Sequence, residues 1–447
     1  MLVANRGEIA RRVIRTARRL GIRSVAVYSD ADVDLPYVTE ADEAVHIGPA
    51  QPAQSYLNVA AILDAARKTG AASVHPGYGF LAENASFATA VIEAGLTWIG
   101  PSPAAIEQMG DKIRARNLME QAGVPVSPGS REPVTDAEAA AAEANKIGYP
   151  VMVKAAGGGG GIGMGAAADE DALRVAFETA RSRAERFFGS PEILLERYVE
   201  RARHVEVQIL GLADGRVVAL GERDCSVQRR HQKVAEETPS PGVSPELRER
   251  MLAAAVKAGQ AVGYRGAGTV ECLVSPGRGA GDAGTFVFLE MNTRLQVEHP
   301  VTELVTGIDL VEQQFLIASG QPPSFDPAAI EPAGHAIELR IYAEDPVRFL
   351  PGPGKITAWR EPAGDGIRVD AGYTAGNTVT PFYDPLLAKL CAYGATRAQA
   401  LQRAREAVAA FVVEGPKNNL PFHAELLVSE DFVSGDYDTS LVSKLRS

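Results

Sequence analysis

Residues 150–165 read PVMVKAAGGGGGIGMG, a short apolar strand that ends in a lysine and continues into a tract of glycines. Consecutive glycines let backbone N–H groups converge on phosphate oxygens without obstruction by side chains. A flexible linker is the alternative for such a tract taken alone. The strand before the tract and the helical pattern that begins near Asp169 favour a flap instead. The segment therefore predicts a strand, a glycine flap and a helix that together close over a nucleotide.

Two other phosphate-binding patterns do not account for this tract. Gly158, Gly160 and Gly163 satisfy the GxGxxG spacing of dinucleotide-binding folds. In those folds the last glycine opens a helix directly, whereas here the helical pattern begins several residues later and Lys154 has no role. A Walker A motif is also missing, because the Gly-Lys pair at 354–355 is followed by isoleucine and lacks the required spacing.

The first hundred residues alternate between strand and helix patterns. In the first helix, Ile9, Val13 and Ala17 lie on one stripe at helical spacing. Strands are expected at residues 2–4, 24–28, 72–75 and 97–100, and helices at 7–21, 58–69 and 85–94. Alternation of this kind predicts a parallel α/β sheet with helices on both faces.

The pattern changes from about residue 108. Helices are expected at 111–122, 136–146 and 397–411, a strand at 150–154, and further β runs from about residue 334. Paired β runs with turn signals between Val205 and Asn292 predict an antiparallel sheet. A chain of 447 residues has room for roughly two to four domains. The predicted fold class is therefore α/β combined with α+β.

Composition and charge narrow the class of protein. Hydrophobic residues make up 46 % of the chain, charged residues 23 %, and the formal net charge is −11, which argues against sequence-blind binding to nucleic acid or anionic membranes. No apolar run approaches the roughly 18–20 residues that span a bilayer, and the N-terminus has no room for a signal peptide. Cys225, Cys272 and Cys391 are too far apart for a zinc ribbon or a disulfide framework. We expect a soluble, cytoplasmic, multidomain protein.

Two acids lie inside apolar strands, Glu271 in TVECL and Glu290 in FVFLEMN. The glycine-rich stretch 275–284 between them would allow the two strands to pair as a hairpin and bring the carboxylates together. At about 4 Å and an effective dielectric near 20, the repulsion would be on the order of 4 kcal/mol. A divalent cation with oxygen ligands would remove it, and two carboxylates with the amide of Asn292 suit Mg²⁺. The alternative is that each acid pairs with an arginine.

Strand alternation also predicts which neighbours share the face of Glu290. Asn292 and Arg294 lie on that face, and Gln296 and Glu298 follow if the chain stays extended. Residues 222–233, ERDCSVQRRHQK, are dense in hydrogen-bond donors, although a solvated charged loop is the ordinary interpretation of such a run. His75 and His204, taken singly, are typical of structural histidines, and neither has the i, i+4 partner of a zinc protease.

Five segments carry a specific combination of residues: 5–10 (NRGEIA), 75–84 (HPGYGFLAEN), the glycine tract, 222–233 and 290–300 (EMNTRLQVEHP). Together they resemble biotin carboxylase, the ATP-grasp component of biotin-dependent carboxylases, over essentially the whole chain. Another ATP-grasp ligase would share the glycine tract and the metal carboxylates, but not the RLQVEH sequence at 294–299.

The resemblance implies a fold of three parts and a reaction in two steps. The parts are a Rossmann-like N-terminal domain at 1–108, an ATP-grasp domain at 109–330 with a mobile lid at about 130–200, and a biotin carboxylase C-terminal domain at 331–447. MgATP would activate bicarbonate as carboxyphosphate, and N1 of biotin on a carrier protein would then be carboxylated. In the usual family pattern the flap carries arginine or lysine where this chain has Ile162, which puts a basic contribution from the lid tip in doubt.

The resemblance also implies a role for each site residue. For ATP these are Lys112, Lys154, Gly160 and Gly161 at the phosphates, Glu196, Arg197, Tyr198 and Val199 at a strand-to-helix hinge beside the adenine, and His204, Gln228, His231 and Leu273 nearby. Mg²⁺ or Mn²⁺ would be held by Glu271, Glu290 and Asn292. For bicarbonate and biotin they are Arg294, Gln296, Val297, Tyr78, the general base Glu298, Lys233 at carboxyphosphate, and Arg340 at the enolate-like biotin oxygen.

The end of the chain bears on partners. The first strand is shorter than is usual in the family, and there is no Ala-Met-Lys-Met biotinylation motif beyond residue 440. We therefore expect biotin to arrive on a separate carrier protein, with separate carboxyltransferase subunits, and the family implies a homodimer. A role in an acyl-CoA carboxylase is the leading hypothesis. The alternatives are a role in a pyruvate-type carboxylase, an ATP-grasp ligase with an amine or purine acceptor, and a non-catalytic nucleotide-binding scaffold.

Overall fold

The computed structural model describes residues 1–156, 164–277 and 282–446. The predicted flap residues Gly160, Gly161 and Ile162 lie outside the described residues. Within the described part, none of the helices combines the length and apolarity needed to cross a membrane.

The N-terminal segment forms the parallel sheet that the strand–helix alternation predicted. Its strands are β1 (Leu2–Val3), β2 (Val25–Ser29), β3 (Glu43–Gly48), β4 (Ser73–His75) and β5 (Thr97–Trp98). Its helices are α1 (Gly7–Arg19), α2 (Pro36–Glu40), α3 (Val59–Thr69), α4 (Ala85–Glu93) and α5 (Pro103–Gly110). The strand order is β3-β2-β1-β4-β5, with all pairs parallel. The α2, β3 and α5 elements were not predicted.

Local chemistry fixes where these helices begin. The predicted stripe of α1 is buried at Ile9, Val13 and Ala17. Asn58 accepts a hydrogen bond from Ala61 N and so caps α3, and the Asn84 side chain caps α4 in the same way. Both side chains satisfy N–H groups that a helix cannot pair within itself.

The next segment contains a small antiparallel sheet covered by two helices. Its elements are α6 (Lys112–Gln121), α7 (Ala137–Ile147), β6 (Val151–Ala155), β7 (Gly165–Ala167), α8 (Glu170–Phe188) and β8 (Ile193–Arg197). The strand order is β7-β6-β8, so the predicted strand that carries Lys154 is central. The alanine positions Ala140 and Ala144 of α7 are buried in the same core as Phe177 of α8, which explains the alanine-rich pattern.

Twelve strands remain in the described part of the chain, and eight of them build one sheet. They are β9 (Arg203–Gly211), β10 (Val217–Arg229), β11 (Gln232–Thr238), β12 (Gly266–Ser275), β13 (Thr285–Asn292), β14 (His335–Tyr342), β15 (Gly354–Lys355), β16 (Ala358–Arg360), β17 (Ile367–Ala371), β18 (Thr378–Val379), β19 (Leu386–Gly394) and β20 (Val412–Glu414). The order β13-β12-β9-β10-β11-β14-β19-β17 is antiparallel throughout. Because β11 pairs with β14, strands on both sides of residue 330 share one sheet.

Helices and short strand pairs complete the chain. The helices are α9 (Pro245–Ala261), α10 (His299–Thr306), α11 (Leu310–Ala318), α12 (Arg397–Ala410), α13 (Leu420–Leu426), α14 (Glu430–Ser434) and α15 (Leu441–Lys444). The short strands pair as β15 with β18 and β16 with β20. The predicted helix at 397–411 is confirmed as α12, with Phe411 as its C-cap.

Candidate active site

A cavity of about 870 Å³ lies between the start of α1, the small antiparallel sheet, the eight-stranded sheet and the 382–386 segment. Most of the predicted site residues line it: Tyr78, Lys112, Lys154, Glu196, His204, Gln228, His231, Lys233, Glu271, Glu290, Asn292, Arg294, Gln296, Val297 and Arg340. Among the described residues, those that were predicted but do not line it are Arg197, Tyr198, Val199, Leu273 and Glu298. Residues from distant parts of the chain thus converge on one cleft.

Lys233 on β11 is the cation around which the polar floor of the cavity is arranged. Its Nζ donates to Glu206 Oε2 at 2.5 Å, to Glu271 Oε1 at 2.8 Å and to Glu298 Oε1 at 2.7 Å. Burial by itself would lower the pKa of the Lys233 ammonium, but these carboxylates raise it well above its usual value. Lys233 therefore stays charged and compensates three acids that are buried away from water.

Three glutamates stand side by side across neighbouring strands. Glu271 on β12 is in register with Glu206 on β9 and with Glu290 on β13. The predicted pairing of the strands that carry Glu271 and Glu290 is therefore confirmed. Burial favours the neutral form of Glu271, but Lys233 and His204 outweigh it and lower the pKa of this carboxyl. His204, Glu206 and Glu271 also bring one ligand atom each within 4.8 Å of one another, although Lys233 Nζ already binds both carboxylates.

Glu271, Glu290 and Asn292 offer a carboxylate–carboxylate–amide set that fits Mg²⁺ or Mn²⁺. Burial and the neighbouring Glu271 charge raise the pKa of Glu290, which is the repulsion that a bound divalent cation would relieve. Asn292 Nδ2 donates to Glu271 Oε1 at 2.8 Å, so the amide group of Asn292 lies next to the Glu271 carboxylate. The alternative of arginine partners does not hold for Glu271, which pairs with Lys233 and with His204 at 2.8 Å.

The chain between β13 and α10 turns instead of staying extended, which corrects the prediction for residues 294–298. β13 ends at Asn292, and Glu298 already lies at the N-cap of α10 with φ −78° and ψ 11°. Arg294 still points into the cavity, because Glu83 Oε2 accepts from its Nε at 2.7 Å and Gln296 Oε1 from its Nη1 at 3.0 Å. The turn therefore presents a guanidinium and an amide beside the acids of the sheet.

Glu298 lies beneath this turn and is fully buried. Its Oε1 accepts from Lys233 at 2.7 Å and its Oε2 from Arg340 Nη2 at 2.9 Å. Burial would raise the pKa of the Glu298 carboxyl, but the charges of Lys233, Arg340 and Arg223 outweigh it and hold the pKa well below its usual range. Glu298 is thus an ionised carboxylate held between two cationic side chains.

A second group of polar residues lies at the side of the cavity formed by the small sheet. Lys154 on β6 forms an ion pair with Glu196 on β8. His204 Nδ1 and Gln228 Nε2 are 2.6 Å apart, and Lys112 lines the same cleft. Burial lowers the pKa of the Lys112 ammonium. Two lysines with a polar rim suit a polyphosphate ligand.

The segment 196–199 differs from the prediction. It consists of the last two residues of β8 and the two residues after them, and it leads through a turn into β9, so it connects two strands and is not a strand-to-helix hinge. Tyr198 is 36 % exposed. Leu273 pairs with His204 across β12 and β9 and is half-buried, but it does not line the cavity. His231 does line the cavity, and burial with the nearby His204 and Lys154 charges lowers its pKa.

Several residues of the site were missed from the sequence. Glu83 orients Arg294, Glu206 shares Lys233, and Glu236 binds Arg340 Nε at 2.6 Å. Glu206 carried a usable signal, since an acid at an alternating position of the apolar run 205–210 is as unusual as Glu271 in its own strand. Glu83 lay within the quoted segment 75–84 without an assigned role.

Family comparisons agree with this geometry. Three family models match in succession: biotin carboxylase N-terminal domain at residues 1–106, carbamoyl-phosphate synthase L chain ATP-binding domain at 111–324, and biotin carboxylase C-terminal domain at 338–444. The biotin carboxylase of Halalkalibacterium halodurans is 52 % identical over 443 residues, which cover 99 % of this chain and 97 % of that protein. The chain belongs to the biotin carboxylase family. It is an ATP-dependent ligase that carboxylates biotin.

Two further similarities are to a subunit of a pyruvate carboxylase and to a domain of a 2-oxoglutarate carboxylase. One of the subunits of the pyruvate carboxylase of Methanothermobacter thermautotrophicus is 49 % identical over 447 residues, covering 100 % of this chain and 90 % of that one. The biotin carboxylase domain dimer of Hydrogenobacter thermophilus 2-oxoglutarate carboxylase, in complex with MgADP, ADP and bicarbonate, superimposes with a TM-score of 0.93 at 43 % identity. That alignment covers 99 % of this chain and 96 % of the other.

Proposed function

We propose that the enzyme is the biotin carboxylase component of an acyl-CoA carboxylase with several subunits, and that it uses bicarbonate and MgATP to carboxylate biotin on a separate carrier protein. The observation that carries this proposal is the position of Glu298 between Lys233 and Arg340, directly beneath the turn that presents Arg294. A pyruvate-type carboxylase is the second candidate, because a component of such an enzyme is among the relatives described above.

In this proposal Arg294, Gln296 and Val297 bind bicarbonate and Glu298 removes its proton. A guanidinium binds a planar oxyanion through two parallel hydrogen bonds. Lys233 then stabilises carboxyphosphate, an intermediate that is easily hydrolysed and has to be shielded from water.

The nucleotide occupies the other side of the cleft. Lys112 and Lys154 bind its phosphates, and the adenine lies near Glu196, Arg197, Tyr198 and Val199, with His204, Gln228, His231 and Leu273 around it. Glu271, Glu290 and Asn292 hold Mg²⁺ or Mn²⁺, whose charge, when the ion is bound, neutralises the phosphate oxygens during phosphoryl transfer. In the same proposal Arg340 stabilises the enolate-like oxygen of biotin, and Tyr78, which also lines the cavity, belongs to the bicarbonate and biotin site.

We further propose the domain division 1–108, 109–330 and 331–447, a biotin carboxyl carrier protein and carboxyltransferase as separate subunits, and a cytoplasmic homodimer. The dimeric form of the Hydrogenobacter domain supports the homodimer, and the name of the Methanothermobacter relative, which makes it one of several subunits, supports the separate partners.

The test is ADP release measured with ATP, Mg²⁺ and bicarbonate, with and without free biotin or biotinylated carrier. Stimulation by biotin is expected. ATP turnover that is independent of biotin would favour a ligase with another acceptor, and ADP binding without turnover under any condition would favour a nucleotide-binding scaffold. Co-purification from the native cell, followed by identification of the carboxyltransferase, separates the acyl-CoA and pyruvate candidates.

A further inference from the structure

Arg340 is held at its head group by two carboxylates that come from different elements. Glu236 on β11 lies opposite Glu338 on β14, so it shares a face with Arg340 two residues further along that strand. Glu236 Oε1 accepts from Arg340 Nε at 2.6 Å and lies 2.6 Å from Nη2, while Glu298 Oε2 accepts from Nη2 at 2.9 Å. Asn419 Nδ2 fixes the backbone of Arg340 by donating to its carbonyl oxygen at 2.9 Å.

Glu236 and Glu298 cannot both compensate the charge of Arg340 throughout the reaction. As the proposed general base, Glu298 becomes a neutral acid when it takes the proton of bicarbonate, and it then stops compensating the guanidinium charge. A buried arginine without a counter-charge is strongly disfavoured. Glu236 is 1 % exposed and does not itself take up that proton, so it is the partner that remains.

We propose that Glu236 is a positioning residue that keeps the Arg340 guanidinium compensated and directed into the cavity while Glu298 gains and loses its proton. This inference rests on the proposed function, because it takes from it the role of Glu298. Arg340 also lines the cavity, so an orienting contact on Nε determines which of its N–H groups face a bound oxyanion.

The effect of the Glu298 charge on the pKa of Glu236 has the direction that this role requires. Burial is the main cause that raises the pKa of Glu236 to about 7; the negative charge of Glu298 contributes to this rise, and the charges of Arg340 and Lys233 oppose it. Protonation of Glu298 removes the contribution of its charge, so Glu236 becomes more fully ionised at the step in which Arg340 needs it. Glu236 Oε2 is buried and accepts no hydrogen bond from the described residues. Glu236 therefore binds Arg340 through Oε1.

The next residue on the same strand provides a matched control. Glu237 is also 1 % exposed and also binds an arginine, with Oε2 accepting from Arg397 Nε at 2.7 Å. Its other partners are His335 at 2.6 Å and the Tyr437 hydroxyl at 2.6 Å. Because successive residues of a strand point to opposite faces, Glu237 faces away from Arg340; neither glutamate lines the cavity itself.

The test is a double-mutant cycle on the full chain, with kcat and KM for free biotin as readouts. Glu236→Gln should lower kcat/KM at least about tenfold, the usual effect of losing a hydrogen bond to a charged group. In an Arg340→Gln background the same change should alter kcat/KM by no more than about twofold, because a residue that acts through another has no effect once that residue is gone. Glu237→Gln should leave kcat/KM nearly unchanged even if it lowers the thermal midpoint.

The inference is overturned if Glu236→Gln costs the same in both backgrounds, or if it behaves like Glu237→Gln. If Glu236→Gln does not fold, Glu236→Asp replaces it in the cycle, with a smaller loss that must again disappear in the Arg340→Gln background. The wild-type enzyme separates this inference from the proposed function. If the wild type shows no ADP release stimulated by biotin, the proposed function itself fails. If the wild type is active but Glu236→Gln costs the same in both backgrounds, only the role of Glu236 is removed.

Discussion

Glu271 and Glu290 stand directly opposite each other on neighbouring strands, yet their carboxyl groups have pKa values displaced in opposite directions. Burial disfavours the charge of both. At Glu271 the charges of Lys233 and His204 overcome burial, whereas at Glu290 the charge of Glu271 adds to it. The pair therefore consists of one acid that is already compensated and one that a divalent cation would compensate.

Replacement of Glu290 by Gln should weaken binding of MgADP at least about tenfold, since even residues that only support metal ligands contribute that much. Binding of ADP without metal should change little. Because the charged carboxylate is the ligand, acidification should weaken MgADP binding in the wild type and have less effect in the variant. Titration calorimetry with and without Mg²⁺ measures both effects, with Glu93→Gln on the exposed side of α4 as control. Equal metal dependence in wild type and variant would remove Glu290 from the metal site.

Glu298→Gln should abolish most of the turnover while nucleotide binding stays near the wild-type value. Glutamine keeps the size of the side chain but cannot accept the proton of bicarbonate, and loss of a general base costs about a hundredfold or more. Biotin-dependent ADP release and MgADP affinity are the two measurements. Glu303→Gln is the control, because Glu303 is a buried acid on the same helix α10 that binds Arg12 and does not line the cavity. An active Glu298→Gln enzyme would exclude this residue as the base.

Lys233→Met should destabilise the fold by about 3–5 kcal/mol, the usual cost of removing one partner of a buried ion pair. Three acids would lose their shared cation, and burial would then raise the pKa values of the Glu271 and Glu298 carboxyls in the folded state. The folded variant would bind protons more readily than the unfolded chain, so its stability should fall as the pH rises from about 5 to 8. Calorimetric melting of the variant and of wild type at both ends of this range measures the difference, with Lys257→Met as control. A thermal midpoint that depends on pH equally in both proteins would contradict the expectation.

Patterns along the chain predicted those parts of the fold that depend on near neighbours. The parallel sheet follows from strand–helix alternation, and the pairing of Glu271 with Glu290 follows from a glycine-rich connection between two apolar strands. The turn after Asn292 was not predicted, because strand alternation gives no signal for where a strand ends when the next residues are also functional. The same limit explains why a strand-to-helix hinge was wrongly expected at 196–199, where the chain passes from β8 to β9.

Contacts between distant residues were beyond the reach of periodicity. Glu83 binds Arg294 across 211 positions of sequence, and Glu236 binds Arg340 across 104. Each acid taken alone resembles an ordinary charged residue in a loop or strand. Their roles depend on β11 pairing with β14 and on the loop after β4 reaching the turn after β13, and no local pattern encodes either arrangement.

Glu83→Gln should raise the KM for bicarbonate by roughly three- to tenfold, with a smaller effect on kcat, as expected for loss of a partly exposed charge-assisted hydrogen bond. Glu83 accepts from Thr293 N at 3.0 Å as well as from Arg294, so it fixes both the start of the turn and its guanidinium. Steady-state kinetics with varied bicarbonate measures the effect. A control is again Glu93→Gln, and an unchanged KM for bicarbonate would show that the turn keeps its shape without Glu83.

His75 should make the fold sensitive to acid through its neutral form. Its ring is fully buried, Nδ1 accepts from Gly77 N at 3.0 Å, and Nε2 lies 3.1 Å from Gln314 Oε1. Burial lowers the pKa of this imidazole from 6.5 to about 4, so the unfolded chain takes up the proton first and stability is lost as the pH falls from about 6.5 to 4. Between pH 7 and 5 the loss is about 2 kcal/mol. Asparagine can place Oδ1 where Nδ1 accepts the Gly77 N–H but does not titrate, so in His75→Asn the decrease in thermal midpoint between pH 7 and 5 should be smaller than in wild type. Equal decreases would mean that protonation of His75 does not contribute to acid unfolding.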